Sequence, residues 1–131
     1  MPMRIEHIAL WTTDLERCKQ FYTSYFAASA GPTYTNPAKG FASCFLSFDG
    51  GTRLEAMTTT SLTLIQPPPG EQRHGLTHLA ISVGSERAVD ELTQRLQNDG
   101  IKVVDGPRRT GDGYYESVIL DPDGNRIEIC S

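Results

Sequence analysis

The chain is short of several things, and each shortage removes a class of function. Basic residues are outnumbered, 12 Lys and Arg against 16 Asp and Glu, giving a formal net charge of −4 over 131 residues. That balance lacks the basic face that nucleic-acid binding requires. No apolar run approaches the roughly 20 residues of a membrane-spanning helix. The opening MPMRIEH has neither the apolar stretch nor the small-residue cleavage site of a secretory signal. Cysteine is scarce and odd in number, three in all, with no metal-type spacing. This argues against a disulfide framework and fits a reducing compartment. Cys18 falls on the apolar side of a helix, and Cys44 and Cys130 fall in strands where they can pack. The expectation is a cytoplasmic protein with no nucleic-acid or membrane partner.

What is present is an ordinary globular composition, 38% hydrophobic and 21% charged, at a length that can bury a real core. An apolar alternation over residues 3–12 predicts a strand. Thr13 or Asp14 can cap the helix that follows, in which Leu15, Cys18, Tyr22 and Tyr25, with Phe21 and Phe26 beside them, recur at helical spacing. Gly31 and Pro32 close that unit. Residues 33–48 predict two strands around a Pro-Ala-Lys-Gly break at 37–40, and a Gly-containing turn leads to another strand beginning near Thr52. The segment 58–75, with three consecutive prolines, reads as a linker. The pattern then repeats: a strand at 76–83, Ser85 as cap, and a helix with Ala88, Val89, Leu92 and Leu96 on one face and Gly100 as its stop. Three strands complete the second half, with GPRRTGDG read as a mobile loop and DPDGN as a turn. The fold class is α+β, built as two βαβββ modules about 71 residues apart.

The duplication selects the chemistry. Each half places a histidine in its first strand and a glutamate in its last: His7 with Glu55, and His78 with Glu128. Alternate strand residues share a face. Ile5, Ala9 and Trp11 go with His7, and Leu76, Ala80 and Ser82 with His78, while Ile8, Leu10, Leu79, Ile81 and Val83 suit the face a helix covers. Glu55 and Glu128 each stand between apolar neighbours, so all four polar groups point away from the helices. Desolvating a lone carboxylate costs several kcal/mol. A divalent cation held by His7, Glu55, His78 and Glu128 removes that cost. Mixed N and O donors suit Ni, Zn, Co, Mn or Fe(II) without selecting one, and the lack of cysteine argues against a closed structural zinc site. On a six-coordinate ion, four ligands leave two positions for substrate.

These features, with GLTHLAISV and DPDGNRIEI as the most specific text, resemble the vicinal oxygen chelate superfamily. It includes glyoxalase I, extradiol dioxygenases, methylmalonyl-CoA epimerase, and fosfomycin- and bleomycin-resistance proteins. The resemblance spans nearly all of 4–130. It implies one domain over 1–131, with module one at 3–58, a linker at 59–75 and module two at 76–130. It also implies that paired βαβββ modules curl into a half-open barrel cup around the metal. The His, Glu, His, Glu set is similar to that of glyoxalase I. This implies a metal-dependent lyase or isomerase acting on a hemithioacetal. Glu128 would remove the proton from the carbon bearing sulfur, and Glu55 would serve as second ligand or partner base. A small-molecule binding or antibiotic-resistance protein, or an Fe(II) dioxygenase, is the alternative on the same fold.

The departures from that pattern concern the substrate. Trp11 stands where glutathione-dependent members carry Arg, and Thr59 where they carry Asn. His74, with Arg73 beside it, stands where some members carry an Arg, and is read as an exposed loop residue. GPRRTGDG resembles a Gly-Pro-x-Lys segment, with Arg109 supplying the cation. Most of a clamp for a charged tripeptide is therefore missing, and Trp11 offers a stacking wall instead. Trp11, Thr59 and Arg109 are the candidate substrate contacts. In related proteins a module often faces that of a twin, so the resemblance implies a homodimer with shared metal sites.

Overall fold

Alternation of apolar and polar residues produces a short first strand, β1 (His7–Trp11), in which Ile8 and Leu10 are the better covered residues. Helix α1 (Leu15–Phe26) follows, and Asp14 caps it by accepting a hydrogen bond from the Arg17 backbone N–H at 3.1 Å. It ends on Ala27, a left-handed residue with φ 56°. The ordinary occupant of that position is glycine. The remaining strands of this half are β2 (Ser29–Ala30), β3 (Tyr34–Asn36), β4 (Phe41–Ser47) and β5 (Arg53–Thr59). The 37–40 break is a single 3-10 turn, Pro37–Lys39, closed by left-handed Gly40. The second half contains β6 (His78–Ser82), α2 (Glu86–Asn98), β7 (Val103–Arg109), β8 (Tyr115–Leu120) and β9 (Arg126–Cys130). These elements come from a computed structural model that describes residues 2–65, 68 and 71–131. Part of the expected proline-rich linker, residues 66, 67, 69 and 70, lies outside the described residues.

The chain divides into two compact units, Met1–Gln66 and Pro67–Ser131. In the first, the sheet order is β1-β5-β4-β2, with β3 also on β4; in the second it is β6-β9-β8-β7. In each, the first strand runs parallel to the last and the others are antiparallel. The two expected strands of 33–48 are thus an edge piece and a central strand. Here β2 and β3 act as one edge strand, pairing with opposite ends of β4. Between them Gly31 donates to the Phe45 carbonyl at 2.9 Å, and Pro32 has no N–H to continue the ladder.

One face of each sheet carries the helix. In unit one α1 packs on β4 and β5, burying Leu15, Cys18, Tyr22 and Phe26 together with Cys44, Leu46, Leu54 and Ala56. In unit two α2 packs on β7, β8 and β9 over Val89, Leu96, Ile119, Ile127 and Ile129, all fully buried. Ser85 accepts from the Ala88 N–H at 3.1 Å, and Gly100 takes φ 83° just past the helix end. A buried polar contact joins helix to sheet: the Thr93 hydroxyl donates to the Val89 carbonyl at 2.6 Å and lies 2.7 Å from that of Ser117. All three cysteines are buried and unbridged. Among the described residues no helix is long and apolar enough to cross a membrane.

The segment read as a mobile loop, GPRRTGDG, is mostly strand. β7 continues through Gly106, Pro107, Arg108 and Arg109, and only residues 110–113 turn. Two shifts of register against β8 accommodate the Gly-Pro pair at the sheet edge, where a missing N–H is tolerated. Gly106 is required there. Its φ is 77°, and a Cβ would sit 2.6 Å from the Glu116 carbonyl oxygen. The DPDGN segment is a turn as expected. Asp121 Oδ1 accepts from the backbone N–H groups of Asp123 and Asn125 at 3.0 and 2.8 Å.

Candidate functional site

The two sheets present their histidines and glutamates in the same register. In unit one His7 lies opposite Arg53, and Ala9 opposite Glu55. In unit two His78 lies opposite Arg126, and Ala80 opposite Glu128. Each histidine therefore reaches diagonally to the glutamate on the neighbouring strand, across the small alanine side chain. His7 Nε2 is 3.7 Å from Glu55 Oε1, and His78 Nε2 is 3.0 Å from Glu128 Oε2. Leu54 and Ala56 flank Glu55, and Ile127 and Ile129 flank Glu128, all four buried on the helix side. Their burial fixes which face the carboxylates take, because a slip of one residue would exchange the faces.

The surroundings differ between the halves. Around His7, Phe45 packs edge-on to the ring at 5.3 Å between centroids. The Arg53 guanidinium lies 4.0 Å over the same Phe45 ring and donates from Nε to Glu6 Oε1 at 3.0 Å, with a second, closer contact from Nη2. That hydrogen bond holds the Glu6 carboxyl below its ordinary pKa. Beyond Glu55 the same face continues as Trp11, about half exposed, edge-on to Phe41, which in turn meets Tyr34. Thr59 lies opposite Phe41 in the ladder, its hydroxyl 3.4 Å from that of Ser61.

Around His78, the Thr77 hydroxyl is 2.9 Å from Nδ1. Glu128 has a second neighbour that the sequence reading did not single out. Burial, then a hydrogen bond with Glu128 and its charge, push the Glu116 carboxyl above its ordinary pKa, against a smaller opposing pull from Arg108. The ladder pairs Glu116 with Cys130 and Val118 with Glu128, so Glu116, Cys130 and Glu128 share a face. There burial first, then the two carboxylates, push the Cys130 thiol up. YYESVIL alternates without an obvious polar side, since Glu116 is offset by Tyr115 and Ser117. Only the register reveals its place.

Arg109 is not on that face. It pairs with Tyr115 in the ladder, and its Nη2 lies 2.7 and 2.8 Å from the two carboxylate oxygens of Glu86 on α2. Its guanidinium is 5.6 Å from the Tyr115 ring. The neighbour Arg108, opposite Glu116, is the cation on the Glu128 side, with its Nε 3.0 Å from Asp105 Oδ2. Strand parity makes the difference: because GPRR is strand and not loop, successive arginines point to opposite faces. His74 is exposed, as expected.

The donor set suits a divalent cation. Two ligand atoms about 2.1 Å from one ion at a right angle lie about 3.0 Å apart, which is the His78–Glu128 separation; the His7–Glu55 pair is more open. Among the described residues no group of three or more His, Cys, Asp or Glu side chains stands close enough to hold an ion. What each unit supplies is one nitrogen–oxygen pair.

With this geometry in view, comparisons with known proteins place the chain. A profile of the Glyoxalase/Bleomycin resistance protein/Dioxygenase superfamily matches residues 4–129; the chain belongs to this superfamily. It is 26% identical to the uncharacterized protein YqjT of Bacillus subtilis (strain 168) over 130 residues, covering 97% of this chain and 98% of that one. The glyoxalase/bleomycin resistance protein/dioxygenase domain from Frankia sp. EAN1pec superposes with a TM-score of 0.81 at 18% identity, over 99% of this chain and 98% of that one. The trypanothione-dependent glyoxalase I of Leishmania major gives 0.75 at 22% identity, over 98% and 86%. At such identities these structures establish the shared fold. The superfamily includes glyoxalase I lyases and also bleomycin resistance proteins that are not enzymes.

Proposed function

We propose that the protein is a metal-dependent lyase or isomerase of the glyoxalase I type, acting on a small substrate with two neighbouring oxygens. The observation that carries this reading is the matched register of the two histidine–glutamate pairs, each placed diagonally across an alanine on the sheet face away from its helix. His7, Glu55, His78 and Glu128 would together hold one divalent cation, from one chain or from two copies in a homodimer. The cation would supply Lewis-acid polarisation of the substrate oxygens.

The chain's own residues account for the rest. Glu128, which shares its sheet face with Glu116, is the group to take a proton from the substrate carbon, since a second carboxyl beside it can share that proton. Glu55 lies among Phe45, Ala9 and Met57 and acts as ligand. Trp11 and Phe41 form an apolar wall beside Glu55, which favours an uncharged substituent over a glutathione carboxylate. Thr59 at the end of that wall can offer one hydroxyl. Arg109 takes no part, being held by Glu86.

The test is elemental analysis of purified protein and titration with Ni, Co and Zn, followed by turnover assays on methylglyoxal with several thiols. Metal-dependent thioester formation, abolished in Glu128→Gln with the cooperative melt retained, is the expected result. Absence of both metal binding and turnover, together with tight binding of an antibiotic, would replace the lyase by a sequestering protein on the same fold. Sedimentation of the protein as a monomer would remove the homodimer.

A further inference from the structure

In both halves the residue just before the strand histidine turns a side-chain oxygen toward the ring's Nδ1, while Nε2 faces the glutamate. In unit two this residue is Thr77, with Oγ1 2.9 Å from His78 Nδ1. In unit one it is Glu6, with Oε1 3.7 Å from His7 Nδ1. We propose that Thr77 is a positioning residue that keeps the His78 ring oriented with Nε2 toward Glu128, both in the metal-free protein and when that nitrogen serves as a ligand. The proposal rests on the metal-site reading above.

The physical argument begins with the imidazole itself. Its outer torsion has two broad, nearly equivalent settings. A half-turn exchanges Nδ1 with a carbon and Nε2 with another, removing the donor from Glu128. A hydrogen bond to Nδ1 distinguishes the two settings, because the flipped ring would present a carbon to Thr77. A hydroxyl is suited to this place because it both donates and accepts. When Nε2 carries the proton and donates it to Glu128 at 3.0 Å, Nδ1 is bare and accepts from the Thr77 O–H. When Nε2 offers its lone pair to a cation, the ring's single proton resides on Nδ1 and is donated to Thr77 Oγ1. A fixed acceptor would serve only the second case.

The two halves solve the same problem with different strength. Glu6 is already committed to Arg53 through Nε at 3.0 Å, and 3.7 Å to His7 is beyond a hydrogen bond. His7 is instead held by the edge-on Phe45 ring, itself covered by Arg53. Thr77 immediately precedes β6 and is exposed, so replacing it disturbs neither the ladder nor the core.

The experiment compares wild type with Thr77→Val, which keeps the shape and loses the hydroxyl, and Thr77→Ser, which keeps the hydroxyl. Zn²⁺ affinity is measured by calorimetry, and the imidazole nitrogens of His78 are followed by ¹⁵N NMR with and without Zn²⁺. Loss of such an outer partner weakens metal binding about 10-fold or more. The expected result is that loss in Thr77→Val and near-wild-type affinity in Thr77→Ser, with a shifted His78 Nδ1 resonance in Thr77→Val alone. An unchanged Nδ1 resonance in Thr77→Val, or equal weakening in both variants, overturns the proposal. Should wild type bind no Zn²⁺, the metal-site reading fails. The positioning role is then decided by the metal-free resonances, where a Nδ1 shift in Thr77→Val supports it and none refutes it.

Discussion

Replacing Ile127 by alanine tests the claim that burial on the helix side dictates where Glu128 points. Ile127 is fully buried, pairing in register with Leu79 and Ile119 beneath α2. The substitution removes three carbons, worth about 0.8 kcal/mol each by transfer. The cavity left in a close-packed layer raises the total to about 3–4 kcal/mol. For a chain of this length that lowers the melting temperature by about 10–15 °C. Ile127→Val, one methylene smaller, should cost about 1 kcal/mol. Glu128→Gln, on the very next residue but the opposite face, leaves the helix-side layer intact and weakens only its contact with His78, so it should cost no more than about 1 kcal/mol. Circular dichroism melts and urea titrations of the three variants provide the measurement. A loss under about 1 kcal/mol for Ile127→Ala would mean that the helix-facing layer is not what holds the register, and the placement of Glu128 would need another cause.

Glu116 predicts a pH dependence. Its folded carboxyl is held above the usual 4.5 by burial and by Glu128, so the folded state binds that proton more tightly than the unfolded state. Its favourable contribution is complete below about 4.5 and lost as pH rises through the folded value. Glu116→Gln should therefore flatten the fall in melting temperature above pH 4.5, and identical profiles would refute the interaction of the two half-buried carboxyls. Gly106→Ala should destabilise by at least about 1–2 kcal/mol, because a Cβ would stand 2.6 Å from the Glu116 carbonyl at φ 77°. A melt indistinguishable from wild type would contradict that geometry. Arg109→Ala should leave substrate KM and metal affinity unchanged, since the side chain is held by Glu86; a raised KM would restore its role at the substrate.

The sequence alone was sufficient for the repeat and the face assignments. Period-2 alternation around His7, Glu55, His78 and Glu128 is a local property of the backbone, and helical spacing with Asp14 and Ser85 as caps is equally local. The superfamily was legible as a resemblance, carried by GLTHLAISV and DPDGNRIEI. Tertiary structure decided what depends on register between strands distant in the chain. It moved Arg109 to the α2 side and Arg108 to the other, because a bulged edge strand replaced the expected loop. It brought Glu116 to Glu128 from a strand whose own pattern shows no polar face, and it set Phe45 against His7. Periodicity tells a side chain which face it occupies. Only the ladder tells it which neighbours it meets there.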